Sequence, residues 1–417
     1  MALTHRWTGR NDAELLAWLR LHCYGGHTAD YAKYLASVTD DDRARDGQFL
    51  IVERDGRPVG TATSVDLTMH LRGAGLPCHG VAYVGTIRTE RRKGKRGGER
   101  GVASEVMWRT IERGRERGDA VSALMPFRAS FYEHFGYGIV EEHARWTLPM
   151  GVLPAGGEAG NYTPFQPSHL PDLKRLRQRI VETGAADLHR TDGVWANLLK
   201  AVDAPGGGFL FVDESPTSDG QLPLRAWVQL VTETDGTGAA VARVADYGVT
   251  EAAAMRGLLG FLGSLRDQYA KAVVTTPVDW PVPRLLLESQ VPHRPVSHAT
   301  AGVSRYTRMM VRVLDHARTL EAMAWPRHVR GAVVVSIQEC EGHESRFHIE
   351  VADGRAAVKP AATPADLTLP DRTWAGVVCG DLSISHALRW GLAEGEDRDG
   401  VLACLWGGPR PFTWEYF

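Results

Sequence analysis

No single sign of charge dominates this chain. Forty-eight Lys and Arg face 50 Asp and Glu, a formal net charge of −2, so the global basic field of a nucleic-acid binder is missing. No apolar run reaches the ~18 residues that a membrane-spanning helix needs. The opening stretch MALTHRWTGRNDAELL lacks the apolar centre of a secretory leader, and a cytoplasmic location is the expectation. Cysteine is sparse: Cys23, Cys78, Cys340, Cys379 and Cys404 are scattered, odd in number and without CxxC spacing. That excludes a disulfide framework and a zinc ribbon, and fits free thiols in a reducing compartment. His343 and His348 lie five apart and do not share a helical face as in HExxH, so no metal is expected. There is no GxSxG elbow for a hydrolase triad and no GxxxxGK[ST] phosphate loop.

What the sequence does hold is enough for two or three cores, at 417 residues and 43% hydrophobic content. The pattern is that of an α/β (α+β) protein. A helix is predicted from Asn11, with Asn11 as cap and Glu14 completing a capping box, and a second over Ala29 to Val38. Strands 48–53 and 58–67 form a hairpin at Asp55-Gly56, strand 81–87 comes next, and helix 102–117 closes at Gly118. Strand 120–125 ends at Pro126, and 140–149 leaves the domain as a strand. The stretch 150–162 has linker composition. Beyond it, strands, a helix capped by Thr250 and a further strand repeat the order of the first part, which reads as a diverged duplication. A third part, from about Tyr306, holds a helix within 311–325, strands near 333–338, 346–351 and 365–369, and two amphipathic helices. The aromatic ending PRPFTWEYF suggests a packed terminus.

The chemistry concentrates between Val81 and Tyr137. A β-branched strand runs into a basic, glycine-rich loop, and the loop runs into a helix. Helix N-termini present free N–H groups and partial positive charge, glycines allow close approach, and Arg and Lys suit phosphates. This is the order of a phosphate cradle. It is not the dinucleotide fingerprint, because no acidic-ended strand lies at the required distance.

At VGTIRTERRKG, followed by the helix, the chain resembles the acetyl-CoA-binding core of GNAT acyltransferases. At LMPFRASFYEHFGYG it resembles the enhanced-intracellular-survival (Eis) group of aminoglycoside and polyamine N-acetyltransferases. The resemblance implies tandem GNAT folds and a sterol-carrier-like domain: 1–150 catalytic, 151–304 degenerate, 305–417 sterol-carrier-like. It implies acetyl-CoA as acyl donor, a small-molecule amine acceptor and a homohexamer. Carried onto this sequence, backbone groups of Val84, Gly85 and Thr86 hold the pantetheine arm, and Phe127 and Arg128 border the cofactor. The pyrophosphate cradle has two candidate positions, because Lys95 to Gly101 are additional here. Alignment favours Arg92, Lys93, Gly94, Lys95, Arg96 and Gly97. Contact with the helix N-terminus favours Gly97, Gly98, Arg100, Gly101 and Val102. Tyr132 matches the general acid that protonates the leaving thiolate. Phe417 matters through its α-carboxylate, ionised at neutral pH with a reference pKa of about 3.3–3.7, as the base. The turn position of His134 argues for a surface or structural role rather than for a base. Asp30, Asp40, Asp41, Asp42 and Glu415 are the acidic candidates for attracting an amine, and the second lobe, lacking a basic glycine loop, is expected not to bind coenzyme A. Two other readings stay open: transfer of another acyl group to a dedicated small amine, and a non-catalytic ligand- or lipid-binding protein.

Overall fold

The computed structural model describes residues 3–91, 101–154, 161–204, 207–215, 224–289, 291, 294 and 300–417. Two compact units result. One comprises 1–141, 308–408 and 415–417; the other comprises 142–307 and 409–414. In chain order the elements are β1 (Leu3–Thr8), α1 (Ala13–Tyr24), α2 (Tyr31–Thr39), β2 (Phe49–Arg54), β3 (Arg57–Leu71), β4 (Ala74–Thr86), α3 (Val102–Glu116), β5 (Val121–Leu124), α4 (Ala129–Tyr132) and β6 (Gly138–Ile139). Then come β7 (Glu142–Pro149), β8 (Tyr162–Pro164), α5 (Leu170–Thr183), β9 (Ala185–Leu188), α6 (Asp192–Asp203), β10 (Phe209–Asp213), β11 (Ala226–Thr234), β12 (Ala240–Val249), α7 (Ala252–Ser264), β13 (Lys271–Pro277) and β14 (Gly302–Thr307). The last part contains β15 (Met310–Val313), α8 (His316–Ala322), β16 (Gly331–Gln338), β17 (Glu344–Ala352), β18 (Arg355–Pro360), β19 (Leu367–Pro370), α9 (Asp371–Cys379), α10 (Ile384–Arg389) and β20 (Glu394–Gly395).

In the first unit the main sheet runs β1-β2-β3-β4-β5-β15-β6. The Asp55-Gly56 turn forms as expected, with φ of 52° and 73°, the geometry of a two-residue hairpin. β4 starts seven residues before the predicted Val81. Its early half pairs with β3 from Leu71↔Ala74 through Leu67↔Cys78, around a second tight turn at Arg72-Gly73. Helix α1 forms without the Asn11 capping box: Asn11 lies in a 3-10 turn over Arg10–Asp12, and the cap position falls on Asp12 with no side-chain cap bond. Its Leu16 and Leu19 bury against Phe49, Ile51 and Val65, while Val102 and Val106 of α3 bury against Leu50, Val52 and Ala62. The two helices therefore cover the sheet through different residue sets, consistent with alternate side chains of β2 pointing to opposite faces. The helix expected within 311–325 is α8, at His316–Ala322; the strand β15 before it completes this sheet between β5 and β6. A smaller sheet, β18-β17-β16-β19-β20, occupies the rest of the unit.

The second unit is built on the sheet β14-β7-β13-β12-β11-β10-β8. Met150 and Val152, read as linker from composition, are buried in its core beside Leu258 and Leu262 of α7; 155–160 of that stretch lie outside the described residues. The predicted Thr250 cap is displaced by one residue, since Glu251 is the cap and makes no side-chain cap bond. No helix among the described residues is long and apolar enough to cross a membrane.

Candidate active site

β4 and β5 pair in parallel over three rungs, Cys78↔Val121, His79↔Ser122 and Gly80↔Ala123. β4 then runs on to Thr86 with no partner on the β5 side among the described residues. β5 ends at Leu124, paired on its other edge to Met310. The departure is prepared on the β3 side: Thr61 faces Gly85 and Thr63 faces Ala82, so Tyr83 and Val84 together oppose Ala62. Tyr83 has φ of 52°, a left-handed conformation that costs roughly 1–2 kcal/mol for an L-residue, and such bulges turn a strand away from its neighbour. The result is a strand edge whose backbone N–H and C=O groups are open to an extended ligand that pairs like a strand.

Of the expected cofactor residues, Val84, Gly85 and Thr86 lie on this edge. Gly85 faces α1, where a Cβ would stand 2.7 Å from the Cβ and Sγ of Cys23. The Thr86 carbonyl accepts a bond from Arg91 Nε at 3.3 Å, and Arg91 also donates to the Cys23 carbonyl. Gly101 is the cap of α3, in extended conformation, with no side-chain cap bond. The first N–H groups of α3 are thus not satisfied by a cap side chain, the arrangement that suits an anion. Val102 is buried through its side chain. Arg92, Lys93, Gly94, Lys95, Arg96, Gly97, Gly98 and Arg100 lie outside the described residues. Phe127 is 75% exposed and meets the Tyr132 ring edge-on. Arg128 donates to Ser130 Oγ at 3.1 Å.

Tyr132 closes α4 and is 4% exposed. Its phenol is held above the ordinary range, first by burial and then by the neighbouring Tyr416, so it stays protonated at neutral pH. The turn that carries it depends on Gly136, whose φ is 75° and where a Cβ would fall 2.3 Å from Asp371 Oδ2. His134 bonds through Nδ1 to the Ser130 carbonyl at 2.6 Å, a local bond within the turn.

The chain end lies in the same unit. Phe417 is half-buried and packs on the cluster containing Leu16, Leu19 and Ala82, beside Tyr83. Arg43 Nη1 donates to the Tyr416 carbonyl at 2.9 Å, and Arg308 Nη2 donates to the Glu415 carbonyl at 3.0 Å. Tyr24 is 44% exposed, and its ring meets Tyr83 edge-on at 6.5 Å. Burial pushes the Cys23 thiol up to about 12, despite the nearby Arg91, so it is a packing residue and not a nucleophile. Cys23, Tyr24, Tyr83, Arg43 and Arg308 escaped the sequence reading. Only Tyr83, inside the strand VAYVGT, carried a local signal.

The acidic candidates are largely engaged by the protein itself. Asp30 accepts from the His27 amide, Asp40 from Thr39, and Asp41 from Arg43. Cys340, Glu341 and Asp371 are the one group among the described residues with metal-like spacing. The Arg312 guanidinium already bonds Cys340 Sγ at 3.4 Å and Glu341 at 2.7 Å, so a cation of the protein itself serves this group.

In the first unit a bulged strand thus leaves its parallel neighbour ahead of an uncapped helix. The acetyltransferase (GNAT) domain is matched over residues 10–140, and by a second family description, also acetyltransferase (GNAT) domain, over 187–313. The latter agrees with the duplication read from the sequence. An N-acetyltransferase of Streptomyces avermitilis, itself uncharacterised, is 25% identical over 405 residues, spanning 89% of this chain and 88% of that protein. Among solved structures, a GCN5-related N-acetyltransferase from Anabaena variabilis superposes with a TM-score of 0.82 at 17% identity, and Eis1 from Mycobacterium abscessus with 0.78 at 18%; both alignments cover all of both chains. GNAT domains take acetyl-CoA as acyl donor, and the open β4 edge and the uncapped α3 N-terminus fit its pantetheine and phosphates. With two such domains and an N-acetyltransferase relative along most of its length, the chain is an N-acetyltransferase built on tandem GNAT domains.

Proposed function

We propose that the first unit transfers acetyl from acetyl-CoA directly to a primary amine of a polyamine- or aminoglycoside-like acceptor, as the Eis-like layout suggests. One observation carries this reading: the β4 edge released beyond Gly80, with the chain end packed on the cluster beside Tyr83 and with Tyr132 in the cluster on which Val84 of that edge packs. Acetyl-CoA supplies an activated thioester. Backbone groups of Val84, Gly85 and Thr86 hold and orient its arm, and Gly101 and Val102 offer α3 amides to its phosphates, assisted by the basic loop from Arg92 to Arg100. The Tyr132 hydroxyl holds the proton that the departing sulfur requires. The Phe417 carboxylate, fixed through Arg43 and Arg308, takes a proton from the acceptor amine, directly or through water, and attracts its positive charge.

In the same reading β16–β20 and their helices form a sterol-carrier-like domain, the protein acts in the cytoplasm, and the assembly is a homohexamer. The exposed aromatic rings of Tyr24, Phe127 and Tyr416 in this unit favour a second reading, another acyl donor or a dedicated small amine.

The test is thiol release across acetyl-CoA and longer acyl-CoAs with polyamines, aminoglycosides and aromatic amines. Tyr132→Phe is expected to lower kcat by about 10²-fold or more with little change in KM for acetyl-CoA. A short extension beyond Phe417 is expected to lower kcat similarly. Wild-type turnover in either variant removes that residue's role. Turnover only with longer acyl groups removes acetyl as the transferred group, and no turnover with any pair favours a binding protein.

A further inference from the structure

The second unit repeats the strand geometry of the first without its phosphate loop. β12 and β13 pair in parallel over three rungs, Val241↔Lys271, Ala242↔Ala272 and Arg243↔Val273. Beyond Arg243 the two separate among the described residues, β12 running to Val249 and β13 to Pro277 on β7. A bulge again marks the departure: Gln229 faces Asp246 and Leu230 faces Val244, so Ala245 is the extra residue on β12. The connection to the next helix is different. β12 passes through Thr250 straight into α7, and the α7 cap is Glu251, a carboxylate where a phosphate would need positive charge.

The opening is not filled. A cavity of about 210 Å³ lies there, bordered by the ends of both strands and by the segment 409–414 of the same unit. Its walls are aromatic: Tyr247 meets Trp414 edge-on at 5.2 Å and Trp280 at 6.2 Å, and Phe412 stands against Trp414 at 5.3 Å. Backbone pairing of Phe412 to the Ala185 carbonyl at 3.1 Å holds this wall in place. The floor carries Asp187, already closed by a bidentate pair with Arg177 at 2.6 and 2.7 Å. Tyr247 is 3% exposed, lines this cavity, and its hydroxyl has no hydrogen-bond partner among the described residues. A buried hydroxyl without a partner is unfavourable and needs an explanation, and a ligand acceptor supplies one.

We propose that this second cleft is a binding site, separate from acetyl transfer, for a flat aromatic molecule carrying one hydrogen-bond acceptor and no phosphate. Trp280, Trp414 and Phe412 flank the ring, and the Tyr247 hydroxyl donates to its acceptor atom. The volume is below the ~300–1,000 Å³ of a drug-sized site, which limits the ligand to about one ring with a small substituent. Coenzyme A is excluded by Glu251 and by the direct passage into α7.

The experiment uses the full chain and three probes: benzamide and nicotinamide, which bring a ring and an acceptor, and toluene, which brings the ring alone. Binding is measured by ligand-observed NMR and by soaked crystals. The two amides are expected to occupy the cavity with the carbonyl on Tyr247, and to bind more tightly than toluene. Tyr247→Phe keeps the packing and is expected to weaken the amides about tenfold while leaving toluene unchanged. Thr250→Trp, at the rim, is expected to abolish binding of all three with an unchanged melting temperature. Density for water alone at millimolar probe, or amide affinities equal in wild type and Tyr247→Phe, overturns the proposal. Neither result bears on Tyr132 or on acetyl transfer.

Discussion

His79 makes the first unit acid-sensitive at the point where its sheet opens. It sits on the middle rung of the short β4–β5 pairing, opposite Ser122. Its side chain is fully buried; Nδ1 lies 3.1 Å from Ser122 Oγ, and Ser122 in turn bonds Tyr137 at 2.7 Å. Nε2 has no partner among the described residues, so a proton placed there is buried without an acceptor. Burial, and then Arg117 and Arg113, depress the His79 pKa to about 3. The unfolded chain has the ordinary value near ~6.5 and therefore binds the proton first. Stability from this group is complete above ~6.5 and is lost as pH falls toward 3. At pH 5 the gap of ~1.5 units, at about 1.4 kcal/mol each, amounts to about 2 kcal/mol. The assay is urea unfolding by tryptophan fluorescence at pH 7.5 and 5.0, in wild type and in His79→Asn, which keeps an amide donor for Ser122 but does not titrate. Wild type is expected to lose about 2 kcal/mol more than the variant between the two pH values. Equal losses, or a His79 titration by NMR near the ordinary value, refute the reasoning.

Three further outcomes rest on the same geometry. Arg43→Ala removes the donor to the Tyr416 carbonyl and also the partner of Asp41, so the melting temperature is expected to fall; with kcat measured well below it, and if the chain end is the base, kcat is expected to drop about tenfold, in line with a charge-assisted bond of ~1.5–3 kcal/mol, and unchanged kcat would show that the terminus is held by other means. Gly85→Ala drives a Cβ into Cys23 and is expected to destabilise by about 1–3 kcal/mol and to weaken acetyl-CoA binding, measured by calorimetry. Asp246→Ala strands the Arg190 guanidinium, now bonded at 2.7 and 3.2 Å, and the Trp227 indole N–H, both buried, and is expected to cost about 3–5 kcal/mol in thermal unfolding.

The stretch 102–137 was legible because its information is local. An amphipathic run predicts α3, a short apolar run between turn signals predicts β5, and Gly136 with its aromatic neighbours predicts a tight turn. β4 was read too short because Gly73, Gly75 and Pro77 look like loop residues; its first half is held by β3, a partner that periodicity does not see. The caps at Asn11 and Thr250 failed for a related reason. Each residue type is a good cap, but the preceding chain enters the helix through a turn or strand that places the cap elsewhere. β15 is the largest miss of pairing: four residues after the second lobe return to the first sheet. Nothing in MVRV names β5 as its partner. The tail was legible as packed, but its anchors Arg43 and Arg308 were not, since an arginine bonding a backbone carbonyl leaves no spacing pattern in the sequence.

The two units share a device and differ in what they do with it. Each has a three-rung parallel pairing, a bulge on the first strand and an opened edge. The bulges need only a local change of register, so they persist through divergence as backbone features that the amino-acid pattern hardly marks. The anion site, by contrast, depends on the composition of the connection between strand and helix. In the first unit that connection is long, basic and glycine-rich and ends at an uncapped helix; in the second it is only Thr250 and Glu251, and the glutamate stands at the cap. Removing the phosphate requirement leaves the second opening free to take an apolar occupant, and aromatic side chains line it where a thioester would pass in the first. Strand geometry therefore sets where a ligand can enter each unit, and the loop before the helix sets which ligand that is.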